Sequence, residues 1–441
     1  MTPPSLPFPA TVGSRPPALP ASRLAPRLER AVGTLLGGFL FAQCFGLPVL
    51  AAGPWPLWPG VADLLFWAAL GCGVLYRMAV QPPQQALWRV LVLLGLCSVF
   101  AAALPLVMGD GHLGIALPFG AFALFKVVQL LGVFWIVSRL RLGAALLRYW
   151  RRAATAGLVV MGISIVWTFF SPVIPQTLGQ LLPHGAGVSG PWESYYLHHE
   201  PGLGMVGYNH AHVAATLLVQ AALVMMLRPG RRNLWVLGVL IVASFLSGAR
   251  AGLAGSLLFA LLQGARTPLR SALVALVVLG GALLALPSLG GDLGGLISRQ
   301  STLLDAADPE NLAGRADIWQ SYFGALGQDP VRLLVGSGFG SGIANIGSNA
   351  HLLPLQVVYE TGVVGLILLG GVLTLLVRRL THTPGDRSRV ALHLLAGLAL
   401  SSLAAEVFYP NTAFGSFLPL MGLTYALALA PNAPRAAQET V

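Results

Sequence analysis

The stretch LPLQVVYETGVVGLILLGGVLTLLV, residues 353–377, decides the fold class. A helix needs about 20 apolar residues to cross the hydrocarbon of a bilayer. This run exceeds that, holds one ionisable side chain, Glu360, and stops at Arg378 and Arg379. Working outward in both directions, further long apolar runs follow at 31–52, 57–76, 87–108, 114–138, 153–172, 211–227, 233–248, 251–264, 271–287, 390–406 and 414–430. The chain is 56% hydrophobic and 9% charged, where soluble domains carry about 25% charged residues. Mean hydropathy is +0.75. The pattern predicts an all-α polytopic membrane protein of about twelve transmembrane helices.

A net charge of +11 raises nucleic acid as a partner, but the placement of the charge points to topology instead. With the N-terminus inside, twenty-one arginines fall in cytoplasmic segments, only Arg250, Arg299, Arg315 and Arg332 face out, and Lys126 lies within a span. That is the positive-inside distribution. Both termini are expected in the cytoplasm, with no nucleic-acid partner. Residues 1–30, rich in Pro and Arg, read as a disordered cytoplasmic tail, 31–430 as one transmembrane domain, and 431–441 as a second tail. The first apolar run is too long for a signal-peptide core of about 7–15 residues. Cys44, Cys72 and Cys97 lie inside apolar runs and make no C-x-x-C pair.

Two outward loops are long, 171–209 and 287–350, and long loops are commonly functional. In the second, AGRADIWQSYFGAL (313–326) spaces Ile318, Tyr322, Phe323 and Leu326 at helical intervals. The expectation is a partly helical outward loop that lies across the membrane surface and caps an outer-face cavity, a periplasmic loop under the resemblance given below. Pro330 and the glycine-rich GSGFGSG (336–342) follow it.

Residues able to carry chemistry gather on the outer side. Arg250, in SFLSGARAGLAGS (244–256), has only small neighbours, which permit close approach of a ligand or another helix; the alternative is a snorkelling interface arginine. Arg315 opens the loop helix, and a guanidinium suits bidentate contact with phosphate oxygens; a local ion pair with Asp308, Glu310 or Asp317 is the plainer use. Ser348 or Asn349 reads as an N-cap, which places His351 in the first helical turn. The positive end of a helix disfavours a charged imidazole and attracts anions, a fitting place for a general base near phosphate. The alternative is an interfacial histidine bonded only to backbone. Glu360 falls on roughly the opposite face from His351 and on the same face as Gln356.

A second cluster, YYLHHEPGLGMVGYNHAHVAA (195–215), contains Tyr208, Asn209 and His210. Its histidines fit no standard zinc motif, so no metal is expected and the cluster reads as a polar lip at the substrate region. Lys126 is an intramembrane charge and hence a candidate for function, or a structural partner of Glu406 or Glu360.

In order and sidedness these motifs resemble the superfamily of O-antigen ligases and O-antigen polymerases of bacterial inner membranes. The likeness runs through SGARAG, GRADIW, GSGFGSG and NAHLLPLQVVYETGVVG, strongest over about 240–370. One departure is that many relatives place Asn directly after the histidine, where this chain has Leu352. The resemblance implies an inverting glycosyltransferase that moves a glycan from undecaprenyl pyrophosphate to a hydroxyl on the periplasmic face, without cofactor. Arg250 and Arg315 would clamp the pyrophosphate and His351 would serve the acceptor. Asn349, Tyr208, Asn209, His210 and Lys126 would contribute to donor or substrate binding. The acceptor would be lipid A–core for a ligase, or a second lipid-linked glycan for an O-antigen or exopolysaccharide polymerase. A lipid-linked glycan transporter is the reading from another class.

Overall fold

The computed structural model describes residues 25–46, 59–75, 85–108, 112–138, 140, 142–171, 202–206, 210–228, 233–264, 293–301, 315–403 and 417–430. Among them the chain is helical, with no strand element. The helices are α1 (Ala25–Ala42), α2 (Val61–Leu75), α3 (Gln85–Met108), α4 (Leu113–Val137), α5 (Ala144–Phe170), α6 (His210–Met226), α7 (Leu234–Leu246) and α8 (Arg250–Gly264). They continue as α9 (Leu293–Ser301), α10 (Arg315–Gln328), α11 (Pro330–Val335), α12 (Leu353–His382), α13 (Asp386–Ser401) and α14 (Phe417–Leu429), with a π-helical turn at Gly342–Ile346.

Each expected span except 271–287, which lies outside the described residues, overlaps a helix in its described part. Four are by themselves long and apolar enough to cross a membrane: Leu87–Val107, Leu113–Val137, Ala144–Phe170 and Leu353–His382. The shorter apolar helices include Val61–Leu75, His210–Met226 and Leu234–Leu246. Helix α5 begins nine residues before the apolar run at 153. The segment between is rich in Ala, Leu and Arg, good helix formers whatever their hydropathy, and Trp150 anchors it by donating to the Gly33 carbonyl at 2.8 Å.

Close contacts between small residues and buried amides join the helices. At α8 and α13, Gly255 lies so near the Gly397 carbonyl that a Cβ would stand 2.4 Å from it. Small residues of this kind let membrane helices approach closely. Gln220 of α6 donates to the carbonyls of Leu40 and Ala154, both at 3.1 Å, and so ties α6 to α1 and α5.

The intramembrane lysine has a partner other than the two expected. Lys126 Nζ stands 2.7 Å from Asp63 Oδ1, and both side chains are only 1% exposed. Gln129 donates to the same oxygen at 2.7 Å, and the Gly60 N–H to the other at 2.8 Å. Glu360 is not part of this pair, and Glu406 lies outside the described residues. A lysine closed in this way joins α4 to α2 and offers no free ammonium to a substrate. The correction follows from burial: a charge without water needs a counter-charge and hydrogen bonds.

Candidate functional site

One end of the bundle carries nearly all the described candidate residues, and hydrogen bonds link the helix ends there. Gly248, at φ 70, turns the chain from α7 into α8 and makes Arg250 the first residue of α8. His210, the first residue of α6, donates from Nδ1 to the Ser247 carbonyl in that turn. The Ser401 hydroxyl, at the end of α13, donates to the Ala251 carbonyl at 3.1 Å. The next carbonyl, that of Ser402, accepts the Leu353 N–H at the start of α12. Residues 202–206 enter the same end: the Gly204 N–H donates to Thr168 and the Met205 N–H to Ser164, both on α5. Gln300 of α9 donates to the Phe245 carbonyl at 3.0 Å, which sets α9 over the end of α7. Tyr208 and Asn209, with the earlier part of their cluster, lie outside the described residues.

His351 stands beside Leu353 but outside the helix. Helix α12 starts at Leu353 with Leu352 in the cap position, and no side chain caps it. The expected cap by Ser348 or Asn349 is absent; the Ser348 hydroxyl donates instead to the Asn349 carbonyl at 3.2 Å. Pro354 fixes the first turn, since its ring presets helical φ where no N–H is needed. His351 therefore precedes the helix and adopts φ 51, the one positive-φ residue other than glycine among the described residues. A histidine in the left-handed region is strained by about 1–2 kcal/mol.

Helix α10 and α12 hold that turn from two sides. Trp319 Nε1 donates to the Ala350 carbonyl at 2.7 Å, and the Tyr322 hydroxyl to the Ser348 carbonyl at 2.8 Å. From α12, Gln356 Oε1 accepts the Ala350 N–H at 2.7 Å and is the longer arm, at 3.1 Å, of a bond that shares the Tyr322 hydroxyl proton with Ser348. Tyr322 also packs edge-on against Tyr359, ring centroids 4.7 Å apart. Arg315, Trp319 and Tyr322 are spaced i, i+4, i+7, so Arg315 continues the stripe that grips the His351 turn. The amphipathic reading of 313–326 thus leads to α10, with Tyr322 and Leu326 buried but Phe323 exposed.

Glu360 has a specific task. Its Oε1 accepts the N–H groups of Gly340 and Gly342, each at 3.1 Å, and the residue is 2% exposed. Its carbonyl accepts the Gly338 N–H at 3.0 Å, and that of Tyr359 the Ser337 N–H at 2.8 Å. The GSGFGSG loop, buried throughout, is therefore fastened along α12. On its other side it reaches α3, where the Phe339 N–H donates to Ala101, and α4, where Gly340 abuts Ala116 and Gly120. Irregular backbone among apolar helices is tolerated only when its polar groups are satisfied within the protein, and here Glu360 satisfies two. At Gly336 and Gly362, with φ 88 and 69, the chains approach so closely that a Cβ on either would lie 2.1–2.4 Å from a carbonyl oxygen of the other segment.

Beneath Phe339 an apolar cleft of about 100 Å³ runs down between α3, α4, α12 and α14, past Leu94, Leu130, Leu369 and Met421.

Of the residues singled out from the sequence, Arg250, His210, Asn349 and His351 stand at this end, and Arg315 opens the helix that reaches it through Trp319 and Tyr322. Sequence reasoning missed Trp319 and Gln356 as the grips on the turn. It also missed Asp63, whose signal was available as the one charge in its apolar run. Comparison with known proteins adds no relative: no family model matches the chain, and no curated protein is significantly similar to it.

Proposed function

We propose that this chain is a multi-pass bacterial inner-membrane glycosyltransferase of the O-antigen ligase type, with about twelve spans, both termini cytoplasmic and its site on the periplasmic face. The observation that carries this reading is the strained His351 turn, gripped by the helix that Arg315 opens, at the same bundle end as Arg250 and His210. In the reaction, the acceptor hydroxyl of lipid A–core attacks the anomeric carbon of a glycan on undecaprenyl pyrophosphate. The new C–O bond forms as the bond to the pyrophosphate oxygen breaks, and the electron pair leaves with that oxygen. Arg250 and Arg315 stabilise the charge that develops there, and the His351 imidazole takes the hydroxyl proton. Displacement in line inverts the anomeric centre. The apolar cleft below the glycine loop suits an isoprenoid chain.

The test is the lipopolysaccharide banding pattern and lipid-linked glycan pool of a strain lacking the gene, complemented with wild type, Arg250→Ala, Arg315→Ala or His351→Ala at matched membrane abundance. Core without O-antigen plus accumulated long lipid-linked chains is the expected result. Core capped by a single repeat would make the chain a polymerase using a second lipid-linked glycan as acceptor. Unchanged glycan in all three variants would end the catalytic reading.

A further inference from the structure

Helix α12 changes its surroundings at Gly362. Before that residue its first turns are almost wholly covered, with Leu355, Gln356, Val357, Tyr359 and Glu360 all buried. After it one face opens, with Val364 43% and Ile367 67% exposed. A face of this composition on a helix long and apolar enough to span a membrane meets acyl chains. Part of the cover before Gly362 is α11, whose Leu334 carbonyl abuts Gly362 and whose next residue, Gly336, abuts the Glu360 carbonyl.

Helix α11 itself buries no residue. Its outward side chains are apolar: Val331 58%, Leu333 42% and Leu334 57% exposed. Its ends are meanwhile prepared for a medium poor in water. Asp329 caps the helix by accepting the N–H groups of Val331 and Arg332. Its other carboxylate oxygen pairs with Arg332 Nε at 3.3 Å. The Gly336 N–H closes the far end on the Arg332 carbonyl at 2.8 Å.

We infer that α11 is a membrane-seated element: it takes over the lipid-facing boundary where α12 turns inward, and Val331, Leu333 and Leu334 pack on the acyl chains of the bilayer. The apolar exposure passes from Val364 and Ile367 of α12 to α11 across the Gly362 contact, and the occupant that already meets α12 there is lipid. Short apolar helices with satisfied ends and a nearby arginine sit at the headgroup–acyl boundary in this way. Helix α10 exposes Asp317, Gln320 and Ser321 beside Phe323, and Gln320 on its polar side serves as the water-facing reference. The inference is independent of the reaction proposed above.

The test places a nitroxide at Leu333→Cys, Leu334→Cys or Gln320→Cys, in a background with Cys44, Cys72 and Cys97 replaced by Ala. The full chain is reconstituted in phosphatidylethanolamine–phosphatidylglycerol vesicles, and its accessibility to oxygen and to a water-soluble nickel chelate is measured by power saturation. Positions 333 and 334 are expected to favour oxygen over nickel, and position 320 nickel over oxygen. Nickel accessibility at 333 and 334 equal to that at 320 would overturn the inference. Should the cysteine-free background fail to fold, a photo-crosslinking amino acid at 333 in the otherwise native chain gives a second reading. Lipid adducts at 333 well above those at 320 support the seat, and equal yields refute it.

Discussion

Replacing Glu360 tests how the glycine loop is held. Its carboxylate accepts two buried N–H groups, from Gly340 and Gly342. In Glu360→Ala both lose their acceptor in a region closed to water, and a buried donor left unsatisfied costs about 1–3 kcal/mol. Two such donors together give about 2–6 kcal/mol of local destabilisation. Glu360→Gln keeps one acceptor oxygen for the two N–H groups while removing the charge and replacing the other oxygen with an NH2 group. A neutral bond is weaker than a charged one by about 1 kcal/mol, so over two bonds Gln gives up about 2 kcal/mol and recovers at most about two-thirds of the loss. Hydrogen exchange read by mass spectrometry over peptides within 336–346 is the direct assay, in detergent or nanodiscs, with the melting midpoint alongside. Exchange is expected to rise in the order wild type, Glu360→Gln, Glu360→Ala, while peptides from α5 and α6 stay unchanged. Glycine-loop protection in Glu360→Ala equal to wild type would show that something other than the carboxylate holds the loop.

Gly362→Ala adds a Cβ about 2.1 Å from the Leu334 carbonyl oxygen at a positive φ; a lowered melting midpoint and release of α11 are expected, measured as increased protease cleavage near 330–335. Asp63→Asn or Lys126→Met alone strands a buried charge, with a loss of about 3–5 kcal/mol, whereas Asp63→Leu with Lys126→Met removes both charges and is expected to be milder than either single change in thermal unfolding. Tyr322→Phe removes the bonds to Ser348 and Gln356 while keeping the ring on Tyr359; under the proposed reaction, glycan transfer is expected to fall more than membrane abundance, and equal falls would reduce the residue to a structural role.

Hydropathy made the helices legible because each long apolar run must satisfy its own backbone and hide little charge. It was less informative about partners. Lys126 invited a search for a carboxylate, yet Asp63, near the start of a different apolar helix, is 63 positions away, and nothing in either run states which helices are neighbours. Gln356 and Glu360 were legible as one face from their i, i+4 spacing. Their tasks were not, because Glu360 meets a loop 18–20 residues upstream that folds back through three positive-φ glycines. At the head of α12 two signals competed. Ser348 and Asn349 resemble caps, but Pro354 governs, so the helix starts two residues after His351 and the imidazole gains a backbone freedom that a helical position would deny it.

That placement bears on function. A left-handed histidine persists only where its surroundings over-determine it, and such strain gathers at active sites. Here the determinants are identifiable: the grips from Trp319, Tyr322 and Gln356 fall on Ser348 and Ala350, immediately before the strained residue. At about 1 kcal/mol net each, these three bonds outweigh a strain of about 1–2 kcal/mol. The turn between α7 and α8 uses glycine at its positive-φ position, 248, whereas this one carries an imidazole at 351. In the proposed reaction, these same bonds would fix the imidazole against the acceptor hydroxyl, so loosening them by Trp319→Phe is expected to weaken transfer as His351→Ala does.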